Sequence, residues 1–317
     1  MRPANGLPFV RHAVLLLFAL LAPFAFAACI EDTPPVAHAP RCAGSTLVMP
    51  RVVGGENGPS DVARGVVGTN SCTAARVGPR ELLTAAHCIA LDDIVVGATL
   101  VVVPGTELHA TPLDATGPRE YAQSVTVEDV HVHPSTEPEK EIHDPLGNRG
   151  SADLALVRTR EPLDACIDTF RVTSRTVAPG DHVVVAGFGC SQRGDDNPPM
   201  QFRSGASVVL SPAEASALLA VNGGGKGLEK PFPEPHAAFY MPPYDDPHLA
   251  RTLGAAEICA GDSGGPVLMR DERGLAIVGV NRGGLVTADG GIAYTYATRL
   301  DPLTVVHWLR GLGVPVE

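Results

Sequence analysis

A serine set between glycines gives the chain its strongest chemical signature, the run GDSGGP at residues 261–266, with Ser263 at its third position. A serine hydroxyl becomes a useful nucleophile only on a tight turn, beside a base, with donors ready for the developing oxyanion. Glycines on both sides permit that turn and let a substrate approach the backbone. A glycine-rich turn with an incidental serine is the plain alternative, and a base elsewhere in the chain decides between the two.

Two further segments supply a base and an acid. TAAHC at residues 84–88 closes an apolar run with His87, and DLALV at residues 153–157 opens a predicted strand with Asp153. A carboxylate at the start of a buried strand is costly unless it accepts hydrogen bonds, for instance from a histidine that it orients. The alternative without catalysis is that His87 is a buried core residue and that Asp153 is an ordinary turn residue. Together with the serine turn, these segments predict a nucleophilic triad of His87, Asp153 and Ser263.

The serine turn also fits the G-x-S-x-G elbow of α/β-hydrolases, which leaves a second enzyme class open. That fold places its acid and then its histidine after the serine, an order that Asp289 or Asp301 followed by His307 would satisfy. Few residues follow Ser263, however, and the chain lacks an alternation of strands and helices. An esterase of this class is therefore the weaker alternative.

The bulk properties limit the classes of fold and partner. The chain has 317 residues, 44% of them hydrophobic, which is enough for one large domain or two small ones. Strand-forming runs are punctuated by 34 Gly and 29 Pro residues, a combination typical of an all-β barrel or sandwich. A net charge of −11 argues against nucleic-acid binding, which needs a basic surface.

Short apolar runs between turn clusters predict the strands that must position these residues. The predicted strands are 95–103, 124–132, 154–157, 182–188, 206–210, 266–269, 275–280 and 292–297. One helix is predicted near the end, at residues 304–309, where Val305, Trp308 and Leu309 share a face. Residues 134–151 and 223–250 are predicted to be long loops.

The amino-terminal residues predict export from the cytoplasm. A basic flank precedes an apolar run that is too short to span a bilayer well, the layout of a signal peptide at residues 1–28. Its end fits either ordinary cleavage after an A-x-A site at residues 25–27 or a lipobox that would lipidate Cys29. The expected product is thus a cell-envelope lipoprotein or a secreted protein. Residues 29–51 are predicted to be a linker or pro-segment before a domain at residues 52–317.

The three chemical segments, together with RVVGG at residues 51–55, resemble the trypsin/chymotrypsin family of serine proteases. The resemblance implies two orthogonally packed, six-stranded antiparallel β-barrels and a C-terminal helix, with the active site between the barrels. It implies that His87 is the general base, that Asp153 orients it, and that Ser263 attacks the carbonyl. The N–H groups of Gly261 and Ser263 would form the oxyanion hole. The implied activity is a serine endopeptidase that acts on proteins or peptides without a cofactor.

The same resemblance implies a zymogen that an activating protease cleaves after Arg51. The freed amino group of Val52 would then be buried against Asp262 and would shape the oxyanion hole. This is physically reasonable, because a buried carboxylate beside the nucleophile needs a partner charge. The alternative to zymogen activation is that Asp262 caps a turn and that Arg51 is an ordinary linker residue.

Four of the seven cysteines lie in segments that resemble the family's active-site region. Cys72 and Cys88 match the disulfide that closes the loop carrying the catalytic histidine. Cys259 corresponds to a cysteine whose usual partner follows the nucleophile. This chain has no cysteine after Ser263, and Cys190 is the best substitute.

The other three cysteines concern the amino-terminal segment. Cys42 and Cys166 resemble the link by which chymotrypsin-like members tether their pro-segment. Cys29 then remains for the lipid. Lipid at Cys29 would tether the protein to a membrane.

The specificity pocket is where the resemblance is weakest. Glu257, six residues before the serine, stands where trypsin-like members carry Asp, and an acid there suggests a preference for Arg or Lys in the substrate. The family's Ser-Trp-Gly segment reads VNRG at residues 280–283, where Arg282 could neutralise Glu257. Ile292 could narrow the pocket. The altered segment leaves open a catalytically impaired homologue that serves as a binding module.

Three histidines, His131, His133 and His143, have a spacing that could suggest a metal site. Their ligand set is incomplete, and no acidic calcium loop is evident. We therefore predict strand and loop positions for these histidines, and no metal.

Overall fold

Short strands joined by turns dominate the fold, as the alternation of apolar runs with Gly and Pro clusters predicts. The computed structural model describes residues 60–105, 122–143, 149–189, 202–221, 233–243, 256, 258–286 and 292–317. Within them the strands are β1 (Val66–Gly68), β2 (Thr73–Arg76), β3 (Glu81–Thr84), β4 (Thr99–Pro104), β5 (Gln123–Val132), β6 (Ala155–Thr159), β7 (Arg171–Val172), β8 (His182–Gly187), β9 (Arg203–Val208), β10 (Ala238–Met241), β11 (Pro266–Asp271), β12 (Gly274–Val286) and β13 (Ile292–Arg299). The helices there are α1 (Ser60–Ala63), α2 (Ala86–Leu91), α3 (Pro138–His143), α4 (Pro212–Val221) and α5 (Leu303–Gly311).

Strands β1 to β6 form a closed antiparallel barrel in the order β1-β2-β3-β6-β5-β4. Alternate side chains of each strand point inward, and the interior is filled by Val67, Ala74, Leu82, Leu100, Val102, Val125, Val127 and Val157. The β3–β6 pair places Thr84 opposite Ala155. The end of β3 therefore lies beside the start of β6. His87 follows β3 in the chain, and Asp153 precedes β6.

The later strands form a second sheet in the order β10-β13-β12-β11-β8-β9, and all neighbours in it are antiparallel. Strand β7 joins it as a short parallel partner of β12. The buried apolar residues of this second sheet include Val183, Val185, Phe239, Val267, Val278 and Ala297. Two six-stranded antiparallel units confirm the predicted all-β fold. Among the described strands, only the first unit closes into a barrel.

The two units share one apolar core. Leu83 and Leu154 of the first barrel belong to the same buried cluster as Phe188, Leu268 and Ile277 of the second sheet. Since the cluster is continuous, the site residues at the edges of both units are held in a fixed relation.

The predicted C-terminal helix is confirmed as α5, which extends the prediction by one residue at its start and two at its end. Val305 and Leu309 are buried, as predicted from their shared face. Trp308 is half-buried, and its ring meets that of His133 edge-on, with 5.3 Å between centroids. Among the described residues, none of the helices is long and apolar enough to cross a bilayer.

Both predicted loops contain regular structure. Residues 134–151 include α3, and residues 223–250 include β10, which pairs with β13. Strand β10 lies in a segment predicted as a loop because its apolar run, residues 237–241, is flanked closely by prolines, which are typical of turns and loops. The strand predicted from residue 95 begins at Thr99, because Ala98 N–H bonds to the carbonyl of Val95 in a turn.

This architecture excludes the α/β-hydrolase alternative, which needs a mostly parallel sheet covered by helices. The carboxylate of Asp301 is bound by Arg299 through hydrogen bonds of 2.8 and 2.7 Å. His307 lies exposed on α5. Asp289 lies outside the described residues.

Candidate active site

The pairing of β3 with β6 brings His87 and Asp153 together. β3 ends at Thr84 and is followed by α2, whose first turn carries His87, while Asp153 comes just before β6. Nδ1 of His87 lies 2.6 Å from Oδ2 of Asp153, and the N–H of His87 donates to Oδ1 at 3.0 Å. One carboxylate thus fixes both the ring and the backbone of the histidine, which is how an acid orients a general base.

The charge of Asp153 is stabilised despite complete burial. Burial opposes ionisation, but the charge and hydrogen bonds of His87, followed by the charge of Arg282, outweigh it and lower the pKa of Asp153. The Nε of Arg282 lies 3.7 Å from Oδ2 of Asp153. An ionised acid is the form that can stabilise a protonated histidine during proton transfer.

The first barrel holds the turn that carries Ser263. The main-chain carbonyl of Ser263 accepts a hydrogen bond of 2.8 Å from the N–H of Thr73. The same oxygen lies 3.5 Å from Sγ of Cys88. Because Cys88 directly follows His87, these contacts place the serine segment against the helix that carries the histidine.

The serine turn depends on its glycines. Gly261 and Gly264 have φ angles of 94° and 82°, in the left-handed region that disfavours side chains. A Cβ atom on Gly264 would also overlap Oγ1 of Thr84 and the carbonyl of Thr73. The absent side chain therefore lets the second sheet approach the first barrel at the nucleophile.

Two main-chain donors of this turn are available to a ligand. The N–H groups of Gly261 and Ser263 have no acceptor among the described residues, whereas those of Asp262 and Gly264 are bonded within the fold. Free N–H groups flanking a nucleophile can stabilise a developing oxyanion.

Asp262, next to Ser263 in the chain, is buried. Its carboxylate accepts hydrogen bonds from the N–H groups of Gly189 at 2.7 Å and Cys259 at 2.9 Å. Burial raises its pKa to about 6, although these bonds and the charge of Arg203 act in the opposite direction. The carboxylate is therefore incompletely compensated in a chain whose Arg51–Val52 bond is intact.

Thr73 joins the first barrel to the turn that carries Ser263, a contact that was not predicted. Its hydroxyl donates to the carbonyl of Gly261 at 2.7 Å and accepts the N–H of Phe188 at 3.0 Å. Its carbonyl accepts the hydroxyl of Thr84 at 2.8 Å. A threonine beside Cys72 gives no sequence signal for a partner 188 residues away.

Arg282, considered above as a residue that could neutralise Glu257, has its guanidinium beside Asp153. It donates to the carbonyl and to Oγ of Ser151, each at 3.0 Å. Glu257 lies outside the described residues. The contact of Arg282 with Asp153 was not predicted, because nothing in the spacing of Ser151, Asp153 and Arg282 indicates it.

The disulfide between Cys72 and Cys88 is confirmed. Cys166 and Cys259 are also disulfide-bonded, while the pairs Cys42–Cys166 and Cys190–Cys259 stay predictions. The remaining predicted residues lie outside the described part of the chain: Cys29, Cys42, Arg51, Val52, Cys190 and Glu257.

Of the histidines considered above as metal ligands, His131 and His133 contact other groups, and the side chain of His143 lies outside the described part of the structure. His131 lies on β5 with Nε2 3.0 Å from Oδ2 of Asp129. The side chains of Cys72, His87 and Cys88 lie close enough to suggest a ligand set. Their two sulfur atoms are joined in a disulfide, however, and only thiolates bind metals strongly.

Comparison with known proteins agrees with this geometry. The family model described as Trypsin matches residues 52–309. Coagulation factor XII of Sus scrofa is 27% identical over 216 residues, which covers 65% of this chain and 30% of that protein. The chain thus spans less than a third of that relative's length.

Proposed function

This chain belongs to the trypsin family, and from that membership we propose that it is a serine endopeptidase with His87, Asp153 and Ser263 as its triad. The observation that carries the proposal is the double contact of Asp153 with His87, at 2.6 and 3.0 Å. It is supported by the barrel contacts that hold the turn of Ser263 against the histidine helix.

The proposed reaction hydrolyses a peptide bond through an acyl-enzyme. The hydroxyl of Ser263 attacks the carbonyl carbon, and His87 accepts the proton while Asp153 stabilises the resulting imidazolium. The N–H groups of Gly261 and Ser263 bind the oxyanion of the tetrahedral intermediate. The intermediate collapses when His87 gives the proton to the leaving amine. Water, activated by the same histidine, then releases the acid product and restores Ser263.

Activity is proposed to follow cleavage after Arg51 by another protease. The support is Asp262, a buried carboxylate next to the nucleophile whose pKa is raised to about 6 by burial. A freed Val52 ammonium would supply the charge that this carboxylate lacks. Their ion pair would then fix the turn that carries the N–H groups of Gly261 and Ser263.

The proposed location is outside the cytoplasm, with protein or peptide substrates. The apolar amino-terminal segment and the disulfides support export, since such bonds persist in oxidising compartments. Lipid on Cys29 would hold the protein at a membrane. A bond between Cys42 and Cys166 would keep the catalytic domain attached after cleavage at Arg51.

Labelling with a fluorophosphonate probe, followed by a peptidase assay, tests this function. The full chain, cut after Arg51 with an added protease that is then removed, should label on Ser263 and hydrolyse casein. Ser263→Ala and His87→Ala should lose both properties, with kcat reduced on the order of 10⁶-fold. Ser216→Ala, which removes a serine hydroxyl from α4, is the matched control and should behave as wild type.

Each alternative gives a different result. A binding module would fold normally but would neither label nor cleave casein. Undiminished casein cleavage by pure Ser263→Ala protein would overturn the assignment of the nucleophile.

A further inference from the structure

Arg282 places a permanent positive charge inside the candidate active site. It lies on β12, and its side chain is only 3% exposed. Two hydrogen bonds of 3.0 Å orient its guanidinium group, one to the carbonyl of Ser151 and one to Oγ of Ser151. Its Nε then lies 3.7 Å from Oδ2 of Asp153, the oxygen that also meets Nδ1 of His87. An arginine stays protonated at every pH a protein tolerates, so this charge does not switch off.

The charged groups facing Asp153 come from two packed elements. His87 approaches from α2 and Arg282 from β12, while Ser151 on the same segment as Asp153 is uncharged. Among the described residues, these are the two basic groups that act on this carboxylate. The imidazolium of His87 and the guanidinium of Arg282 would therefore both interact with the same buried carboxylate, that of Asp153.

We propose that Arg282 is a positioning residue that offsets part of the negative charge of Asp153 and so keeps His87 an unprotonated base at lower pH. The reason is electrostatic. Asp153 alone favours the imidazolium form of its neighbour, and a fixed cation close to the same oxygen disfavours it. Burial makes the effect large, because little solvent screens the three groups. The inference rests on the proposed peptidase function.

The test is the pH dependence of fluorophosphonate labelling of the protein cut after Arg51, which needs no knowledge of the natural substrate. Two neutral variants, Arg282→Gln and Arg282→Trp, are compared with Arg282→Lys, which retains a charge. Trp is the residue that the family pattern places there. Arg299→Gln is the matched control, since it removes a half-buried arginine bonded to Asp301 from the same sheet.

The expected result concerns the acidic limb of the labelling rate. Both neutral variants should move this limb to higher pH by about one unit. Their labelling rate at the alkaline plateau should differ from that of wild type by about threefold. Arg282→Lys, which retains the charge, should show little of this shift, and Arg299→Gln should show none. Asp262 is common to all variants, so any effect of its titration on the labelling rate cancels in the comparison.

The outcomes separate this inference from the function on which it rests. Absence of labelling in wild type would contradict the peptidase proposal itself. If wild type labels but the neutral variants lose rate with an unmoved acidic limb, Arg282 only supports the fold and the inference is overturned. Failure of both neutral variants to fold, judged by thermal unfolding, would overturn it in the same way.

Discussion

The hydroxyl of Thr73 donates a 2.7 Å hydrogen bond to the carbonyl of Gly261 and so connects the first barrel to the nucleophile turn of the second sheet. The same oxygen accepts the N–H of Phe188 at 3.0 Å. Thr73 is fully buried, and its bond to the N–H of Phe188 is shielded from water. One side chain thereby links the end of β8 to the turn that carries Ser263.

Replacing Thr73 with Val should destabilise the protein and weaken the site. The variant keeps the shape but deprives the buried N–H of Phe188 and the part-buried carbonyl of Gly261 of their hydroxyl partner, at a cost of about 2–3 kcal/mol in the free energy of unfolding. The labelling rate of Ser263 should fall about tenfold as the turn loosens. Urea unfolding and labelling kinetics measure the two effects.

Thr73→Ser is the control, because it keeps the hydroxyl and loses one methyl group. It should cost about 1 kcal/mol and retain most of the labelling rate. Equal losses in the Val and Ser variants would show that packing, and not the hydrogen bonds, accounts for the effect.

Gly264→Ala should be far more harmful than an alanine at another left-handed glycine. Gly264 and Gly180 have similar φ angles, 82° and 86°, so the backbone strain of about 1–2 kcal/mol is common to both. A Cβ at Gly180 meets no atom within 4 Å, whereas one at Gly264 overlaps Thr84 and Thr73. We expect Gly180→Ala to cost only the strain, and Gly264→Ala to cost about 2 kcal/mol more. Urea unfolding of both variants decides this, and equal costs would contradict it.

The contrast between Gly264 and Thr73 shows what the sequence could predict. The glycines, the serine and the histidine lie in short segments whose local spacing carries their chemistry, so the triad and the strands that hold it could be proposed directly. Thr73 and Arg282 act through contacts with residues far away in the chain, at Gly261 and Asp153. Such contacts follow from how two sheets pack, which no local pattern encodes.

Asp262 should make the uncut precursor less stable as the pH rises from about 4 to about 6. Burial raises its pKa from the ordinary value of 3.8 to about 6, so the folded state binds this proton more tightly than the unfolded state. The stabilisation is fully present below the unfolded pKa and is lost as the pH rises through the folded pKa. Two pKa units correspond to about 3 kcal/mol.

The measurement is urea unfolding of the Arg51→Gln precursor across this pH window. Acids with lowered pKa values, such as Asp153, change stability in the opposite direction, so the comparison must be made with Arg51→Gln/Asp262→Asn. The difference between the two curves should contain the predicted loss. In wild-type protein cut after Arg51, the loss should shrink, because the Val52 ammonium favours the ionised carboxylate. An identical pH dependence before and after cleavage would be evidence against that ion pair.

The tether is tested by the fate of the catalytic fragment after activation. Cys166 is disulfide-bonded, and a partner at Cys42 would span the cut at Arg51. With lipid on Cys29, the fragment at residues 52–317 should sediment with membranes after cleavage and become soluble on adding dithiothreitol. The lipid holds the assembly because each buried CH₂ contributes about 0.8 kcal/mol.

Two cysteine variants separate the contributions of lipid and disulfide. Cys42→Ser should sediment before cleavage and release the fragment at once when Arg51 is cut, without reductant. Cys29→Ser should be soluble throughout, because it keeps the bond and loses the lipid. The Cys72–Cys88 disulfide is present in every variant, so reduction of wild type must also be checked by labelling of Ser263, to confirm that the released fragment stays folded. A wild-type fragment that is soluble after cleavage but before reduction would reject the tether, and the behaviour of the uncut protein would show whether the lipid or the Cys42–Cys166 bond is missing.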